Sequence, residues 1–585
     1  MTGFRIERLR YSDATAEVLR RDATEPRFIN WPVVYVLDNG RDVYVGETLN
    51  TAKRMEQHRI KKRHLTQLKV VLDDTFNKSA CLDLESHLIR WFSGDAKFSV
   101  LNANAGQVDY EYFDRGRYRA TFDEIFDQLR ADGMFTRSIR DIQNSDLFKL
   151  SPFKALTEDQ AAAVDELLEE LFRDLRDGRK STSVIQGDPG TGKTIVAIYL
   201  LKLLEDIRSL DPEDLYEADE RFSEHFVADR RRLLEGKRLG FVIPQQSLRK
   251  SVQRVFRRTP GLKKVKVLSA FDAGASEDHF DLLIVDEAHR LTQRANLPSA
   301  SLNAKRKEIT EKLFGEDRLD ITQLDWIRAK SDHQIFLIDT AQSVRPADLP
   351  RATQTALIEK ARDENRLHRL WSQMRVAGGR DYIEYIRRLL SDVPPAPATF
   401  GDYELQMFDD LGEMHEEIRR RDAEHGLARL VAGFAWPWRT KKDKSAYDIE
   451  LDGVRLRWNG TAVDWINSPG SVDEVGSIHT VQGYDLNYAG VIIGNDLRYD
   501  TSAGRLVFDR SNYFDTAGKQ NNPTLGVTYS DEELLEFVRN VYRVLLTRGM
   551  RGTYLYVCDS ALRERLRPYF SMSSRHEDAA RDSPR

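Results

Sequence analysis

The segment Ser183–Thr194 constrains this chain more than any other. It reads SVIQGDPGTGKT and is followed by IVAIYLLKLL. A short apolar run of strand length leads into Gly187, Asp188, Pro189, Gly190, Thr191, Gly192, Lys193 and Thr194, and an apolar run of helical length follows. These eight residues fit G-x-x-x-x-G-K-[ST] without a mismatch, in the strand–loop–helix context the motif requires. Glycines let the backbone curl so that its N–H groups converge on phosphate oxygens. Lys193 brings a positive charge to the β and γ phosphates, and the Thr194 hydroxyl can reach Mg²⁺. The helix that follows turns its positive end to the same anion. The expected ligands are therefore ATP and Mg²⁺.

Further on, FDLLIVDEAHRL places an apolar strand before two acids. Asp286 is expected to hold Mg²⁺, directly or through water. Glu287 is expected to polarise the attacking water, because phosphoryl transfer demands positioning and charge compensation more than covalent chemistry. Short apolar runs recur at Ser183–Ile185, Phe241–Ile243, Leu282–Val285 and Ile335–Ile338, each bounded by Gly, Pro or Asp. Separated by amphipathic helices, they predict buried parallel strands. Leu430–Phe434, Val491–Ile493 and Tyr554–Val557 predict a second unit of the same kind.

The 585 residues exceed one ordinary domain, and 41% hydrophobic with 31% charged residues is a soluble globular balance. No apolar run approaches the length of a bilayer span, and the N-terminus lacks the apolar core of a secretory signal. A cytoplasmic location without membrane contact is the expectation. Cys81 and Cys558 stand far apart, each alone, which excludes a cysteine-built zinc site and predicts two small buried side chains. The net charge of −5 gives no whole-chain sign of nucleic acid. A local basic cluster, Lys53 to Lys69, fits either a solvated helix face or a phosphate track. The expected order is an N-terminal extension at 1–30, a small α/β domain at 31–108 and a helical linker at 109–150. Two α/β lobes follow at 151–355, with a charged helical insertion near 205–240, and at 356–565. A disordered tail is expected at 566–585.

Several short strings then fall in a consistent order. Leu156–Gln160 reads LTEDQ, residues 241–248 read FVIPQQSL, and Ile335–Gln342 reads IFLIDTAQ. Arg375 lies in LWSQMRVAGG. IHTVQGYDLNYAGVII carries Gln482, Gly483 and Asp485, and NVYRVLLTRG carries Arg548. This series resembles superfamily 1 helicases, and most of all the Schlafen-like helicase family with its bacterial relatives. The resemblance implies two RecA-like P-loop NTPase lobes. It implies that Gln160 reads adenine, that Gln342 senses the γ-phosphate, that Arg375 is the fourth motif's arginine and that Arg548 is an arginine finger. FVIPQQSL is then similar to the segment that contacts single-stranded nucleic acid. Trp436, Trp438, Trp458 and Trp465 of the second lobe can stack on bases or pack a core; core packing is the favoured expectation.

At the other end, VVYVLDNGRDVYVGETLNTAKRMEQH gives two β-like runs around an Asn-Gly turn, then a helix start. Tyr35, Tyr44, Gly46, Arg54 and His58 are followed by Glu85 in CLDLESHLIRWF and Asn102 in SVLNAN. This ordered set resembles the GIY-YIG nuclease family over residues 31–105, with Val33-Val34-Tyr35 in place of Gly-Ile-Tyr. The resemblance implies Glu85 as ligand of a divalent metal, Mg²⁺ or Mn²⁺. The metal and Arg54 would offset charge on the phosphate, and Tyr35, Tyr44 or His58 would orient or deprotonate water. The combined expectation is an ATP-driven nucleic-acid motor fused to an endonuclease, as suits defence against foreign DNA or repair, with DNA the partner in preference to RNA. An ATP-gated sensor whose nuclease fold only binds, and an RNA-directed enzyme, remain open alternatives.

Overall fold

The computed structural model describes residues 3–22, 25–102, 111–209, 220–295, 299–461, 463–481 and 483–572. The chain forms two compact units. One comprises Met1–Arg176, Thr194–Lys237 and Ser251–Lys266. The other comprises Asp177–Lys193, Arg238–Lys250 and Val267–Arg585.

The first unit is built on strands β1 (Phe4–Arg10), β2 (Val33–Asp38), β3 (Asp42–Thr48), β4 (Gln67–Asp73) and β5 (Ser99–Val100), in the order β1-β4-β2-β3-β5. β2 and β3 form the hairpin that the Asn39-Gly40 turn predicts, with Gly40 at φ 81. Every residue of β2 is buried because both faces of the sheet are covered. Val34 and Val36 pack with the helix Lys78–Asp95, while Val33, Tyr35 and Leu37 pack with Ala52 and Met55 of the helix Thr51–Lys61.

Two boundaries differ from the expectation. The stretch 1–30 is no mere extension, since β1 pairs with β4 along its full length, Phe4↔Asp73 to Arg10↔Gln67. The stretch 109–150 is no linker either. Tyr118, Phe122, Ile125, Phe126 and Leu129 of the helix Arg115–Ala131 join the core behind the sheet, as does Ile142. Their apolar spacing could not say which surface they would cover. The charged insertion is helical at Ala228–Leu234, and its residues 210–219 lie outside the described ones.

The second unit holds two parallel α/β lobes. In the first lobe, β6 (Ser181–Gly187), β7 (Leu239–Val242), β8 (Lys266–Leu268), β9 (Phe280–Val285), β10 (Ser331–Ile338) and β11 (Leu367–Leu370) are ordered β11-β6-β10-β9-β7-β8. β6 therefore lies between β11 and β10, with β9 one strand further. The loops carrying the phosphate motif, the acidic pair and the Asp339 segment all leave the same carboxyl edge, where ligands of open parallel sheets bind. The second lobe contains β12 (Glu404–Met407), β13 (Ala428–Ala432), the hairpin β14 (Ile449–Leu451) and β15 (Val454–Trp458), β16 (Glu474–Ser477) and β17 (Leu486–Ile493). The small ribbon β18 (Leu497–Asp500) and β19 (Arg505–Phe508), then β20 (Gly549–Val557) and β21 (Ser571–Met572), complete it. Its main sheet runs β14-β15-β16-β13-β17-β20-β12-β21.

The expected tail begins too early. Leu566 and Phe570 are buried, and Ser571 and Met572 pair with Gln406 and Met407. Residues 573–585 lie outside the described ones. Trp458 and Trp465 are core side chains, while Trp436 and Trp438 are half-buried. Cys81 is buried and Cys558 half-buried. Among the described residues no helix is long and apolar enough to cross a membrane.

Candidate functional site

In the second unit β6 ends at Gly187, and the loop turns through Gly190 (φ 86) and Gly192 (φ 76), both in the left-handed region that side chains resist. A Cβ on Gly190 would overlap the Gln373 carboxamide. Lys193, buried, folds its ammonium into the loop and donates to Gly187 O at 2.7 Å and Asp188 O at 3.0 Å. Asp339 Oδ2 lies 3.8 Å from the same ammonium. Loop carbonyls and one carboxylate thus hold a cation at the centre of the turn, where phosphate charge would be met. Thr194 follows in the first turn of the helix Lys193–Ser209.

β9 delivers the acids. Asp286 is fully buried and accepts the Glu287 N–H at 3.0 Å, and Glu287 adopts a left-handed φ of 48. That turn brings Glu287 Oε2 to 3.1 Å from His289 Nε2. Burial holds His289 down to about 3, so it is neutral. Its Nδ1 accepts the Asp339 N–H at 3.3 Å, which assigns the ring proton to Nε2; the approach to Glu287 is not aligned as a hydrogen bond, and Nε2 and Oε2 are both buried without a hydrogen-bond partner. β10 delivers Asp339, which accepts from Ala341 N at 3.0 Å and from Gln342 Nε2 at 2.7 Å.

The second lobe meets these residues. Arg548, 1% exposed, donates to Val544 O at 3.1 Å, Tyr484 O at 3.3 Å and Gln342 Oε1 at 3.4 Å. Burial, with Arg375 adding, lowers it to about 10; Asp485, Glu287 and Asp339 oppose that shift. Arg375 is ion-paired with Asp485. Its neighbours hold the phosphate loop: Met374 N donates to Gly190 O at 2.9 Å and Gln373 Nε2 to Pro189 O at 2.7 Å. Arg387 bridges to Asp188 at 2.7 Å.

A cleft of about 760 Å³ opens between the lobes, lined by Gly187, Asp188, Asp339, Trp371, Arg387 and Arg543 among others. A smaller groove of about 250 Å³ is lined by Pro244, Gln245, Phe271, Arg345, Asn521 and Tyr529. The structure thus gathers Lys193, Asp339, Gln342, Glu287, Arg375 and Arg548. Sequence reasoning missed Asp339, His289, Gln373 and Arg387. The strings IDTAQ, DEAH and SQMR contained the first three; nothing marked Arg387. Gln160, in the first unit, is fully buried, and its carboxamide oxygen accepts the Thr157 N–H at 3.1 Å. Gln482 lies outside the described residues.

The N-terminal set also converges, within the first unit. Tyr35 and Tyr44 stand on adjacent strands with ring centroids 6.2 Å apart, and His58 lies 5.8 and 5.2 Å from them. Arg54 Nε donates to Tyr35 Oη at 3.2 Å, and Tyr35 Oη lies 2.8 Å from His58 Nε2. Burial, aided by Lys62 and Arg54, pushes His58 down to about 2. In a neutral imidazole Nε2 either accepts from the Tyr35 hydroxyl or donates to it, according to the tautomer. Gly46 is required, because a Cβ there would overlap the Tyr35 hydroxyl. Glu85, on the helix Lys78–Asp95, is pushed up to about 8 by burial and by Glu47. Glu47 pairs with Lys78 through Oε1, while its Oε2 is buried without a hydrogen-bond partner.

Asn102 clamps β3 instead, bonding Val45 N at 3.1 Å and Val45 O at 2.8 Å. The basic cluster is partly spent: Lys69 turns to Asp38 at 2.7 Å, and Arg63 to Asp13 at 2.8 Å.

Paired parallel lobes with a phosphate loop, an acidic strand end and an interlobe arginine–glutamine contact define a helicase-type P-loop domain. The model of the Schlafen group 3 DNA/RNA helicase domain family matches residues 180–559, and the chain belongs to that family. The chain is similar to the Saccharomyces cerevisiae protein YPL245W, described as uncharacterized, at 27% identity over 417 residues, 66% of this chain and 83% of that protein. The solved structure of Mss116p bound to ssRNA and AMP-PNP is similar over 75% of this chain and 76% of its own, at 12% identity and a TM-score of 0.32.

Proposed function

We propose that this chain hydrolyses ATP to move along or remodel a nucleic acid, DNA in preference to RNA, and that residues 31–105 form a metal-dependent endonuclease of the GIY-YIG type. The observation that carries the motor reading is the unbroken chain Lys193–Asp339–Gln342–Arg548, which crosses from the phosphate loop to the second lobe. A γ-phosphate arriving at Lys193 would perturb Asp339 and Gln342, and through them the partner lobe. The Asp286 carboxylate and the Thr194 hydroxyl are each a hard oxygen donor of the kind Mg²⁺ takes. Glu287, steered by His289, would orient the attacking water. The groove with Pro244 and Gln245 would take the strand, with Phe271 and Tyr529 available for stacking.

For the nuclease, the observation is the Arg54–Tyr35–His58 relay beside Glu85. Glu85 would hold the divalent ion, which would supply Lewis-acid stabilisation of the phosphate. The lifted Glu85 carboxyl and the orphaned Glu47 oxygen fit a site that a cation would relieve. Tyr35 and His58 would move a proton, and Arg54 would face the developing charge.

The test compares ATP hydrolysis with single-stranded DNA, duplex DNA and RNA, beside gel cleavage of each with Mg²⁺ or Mn²⁺ and with EDTA. Stimulation by none of the three would sink the motor. Cleavage of none would leave residues 31–105 as a binding module.

A further inference from the structure

Lys441, Lys442 and Lys444 project from the loop that precedes the β14–β15 hairpin. All three are exposed, and among the described residues no carboxylate pairs with any of them. Between Arg439 and Lys444 stand four cations and one acid, in a chain whose net charge is −5; Arg439 pairs with Glu450 at 3.3 Å, which leaves the three lysines. That acid is engaged locally: Asp443 accepts from Ser445 N at 2.9 Å and Ser445 Oγ at 2.6 Å.

A run of like charge is usually a solvated, mobile face, but this loop is fastened at both ends. Buried Asp448 accepts from Thr440 N at 2.9 Å, Thr440 Oγ1 at 2.7 Å and Trp458 N at 2.8 Å. Arg457 lies 4.5 Å from the Tyr447 ring and donates to Ala446 O at 3.0 Å and Ser445 O at 3.3 Å. Lys441 sits 4.2 Å over Trp438, whose ring packs on Phe434 and Trp458. Most of the ordering entropy of a charged loop is therefore lost on folding and need not be lost on binding. The fold fixes the backbone that carries these ammonium groups, and among the described residues no carboxylate pairs with them.

We propose that the Arg439–Lys444 loop is a docking surface for the sugar–phosphate backbone of a nucleic acid. None of its residues lines the interlobe cleft or the Pro244–Gln245 groove, so it is a second point of purchase. The proposal rests on the motor reading above. Half-buried Trp438 lies beneath Lys441, and the lysines make the contact. A contact of this kind carries no base information, so single strands, duplex and RNA are all gripped through it.

The experiment titrates labelled single-stranded DNA, duplex DNA and RNA with the full chain and with K441E/K442E/K444E, at several salt concentrations. The expected result is binding weaker by about tenfold or more at low salt and a shallower dependence of log K on log salt, by about 2 to 3 for three lost phosphate contacts. ATP hydrolysis without nucleic acid stays at the parental rate, because no lysine touches the nucleotide site. K441Q/K442Q/K444Q should fall between. An unchanged affinity and slope on all three probes, with the parent binding, overturns the proposal alone. A parent that binds none of them overturns the motor reading with it. Retained nucleic-acid binding with loss of an acidic protein partner also overturns it, in favour of that other class.

Discussion

The Arg548 guanidinium donates to Oε1 of Gln342 across 3.4 Å, and Gln342 in turn donates to Asp339 at 2.7 Å. One lobe's arginine is thus hydrogen-bonded to the residue that follows the other lobe's central strand. Arg548→Ala is expected to lower ATP turnover by roughly 10³-fold, the scale for a lost transition-state arginine. Arg548→Lys keeps the charge but loses the planar fork, and should recover only a part. Steady-state hydrolysis and a thermal melt check this; a twofold loss in a folded variant would remove Arg548 from the chemistry.

Lys193 and Glu287 are expected to fail differently. Lys193→Ala removes the cation held by Gly187 O and Asp188 O and should abolish both nucleotide binding and hydrolysis. Glu287→Gln keeps the shape beside His289 and should bind ATP without turning it over. Equilibrium binding of a fluorescent ATP analogue separates the two from each other and from the parent.

Glu85→Ala should abolish Mg²⁺- or Mn²⁺-dependent cutting while nucleic-acid-stimulated ATP hydrolysis continues. With its carboxyl pushed up to about 8, Glu85 is mostly protonated at neutral pH, so a binding ion must displace that proton. Cutting at limiting metal should therefore rise as pH climbs toward 8 and level off above it. A flat profile from pH 6 upward, judged by plasmid nicking at roughly 1-unit steps, would place the metal elsewhere.

Asp496 gives a stability test. It is fully buried, accepts from Tyr542 Oη at 2.5 Å, and is pushed up to about 7 by burial. Its folded-state value exceeds the ordinary carboxylate value, so the folded state holds the extra proton. Stability should be greatest below the ordinary value and should fall as pH rises from about 4 to about 7. Asp496→Asn should flatten that part of the profile in denaturant melts; an unchanged slope would refute the neutral acid.

Trp458 distinguishes packing from base stacking. Its ring is 1% exposed and packs on Phe434, so Trp458→Ala should cost about 3–5 kcal/mol of stability. A stable variant that lost only nucleic-acid binding would reverse that assignment.

The sequence alone determined what is local. Eight contiguous residues specify the phosphate loop, since its glycine dihedrals and lysine reach are set within one turn. Apolar runs specified seven of the strands, because burial on both faces leaves an unbroken apolar string. The order Tyr35, Tyr44, Gly46, Arg54, His58, Glu85 marks the N-terminal cluster in the sequence itself. Only the tertiary structure decided what depends on partners distant in sequence. Phe4–Arg10 became a sheet strand because β4 offered it an edge, and Phe122 and Phe126 became core because a sheet face needed covering. Arg387 reached Asp188, and Glu47 came beside Glu85, through chain folding that no local pattern encodes. Asn102 belongs to the ordered set that carries the resemblance, and the fold uses it as a clamp, because a carboxamide beside an open N–H and C=O of β3 satisfies both. Apolar periodicity records that a side chain is buried; which surface buries it is set by the whole chain's packing.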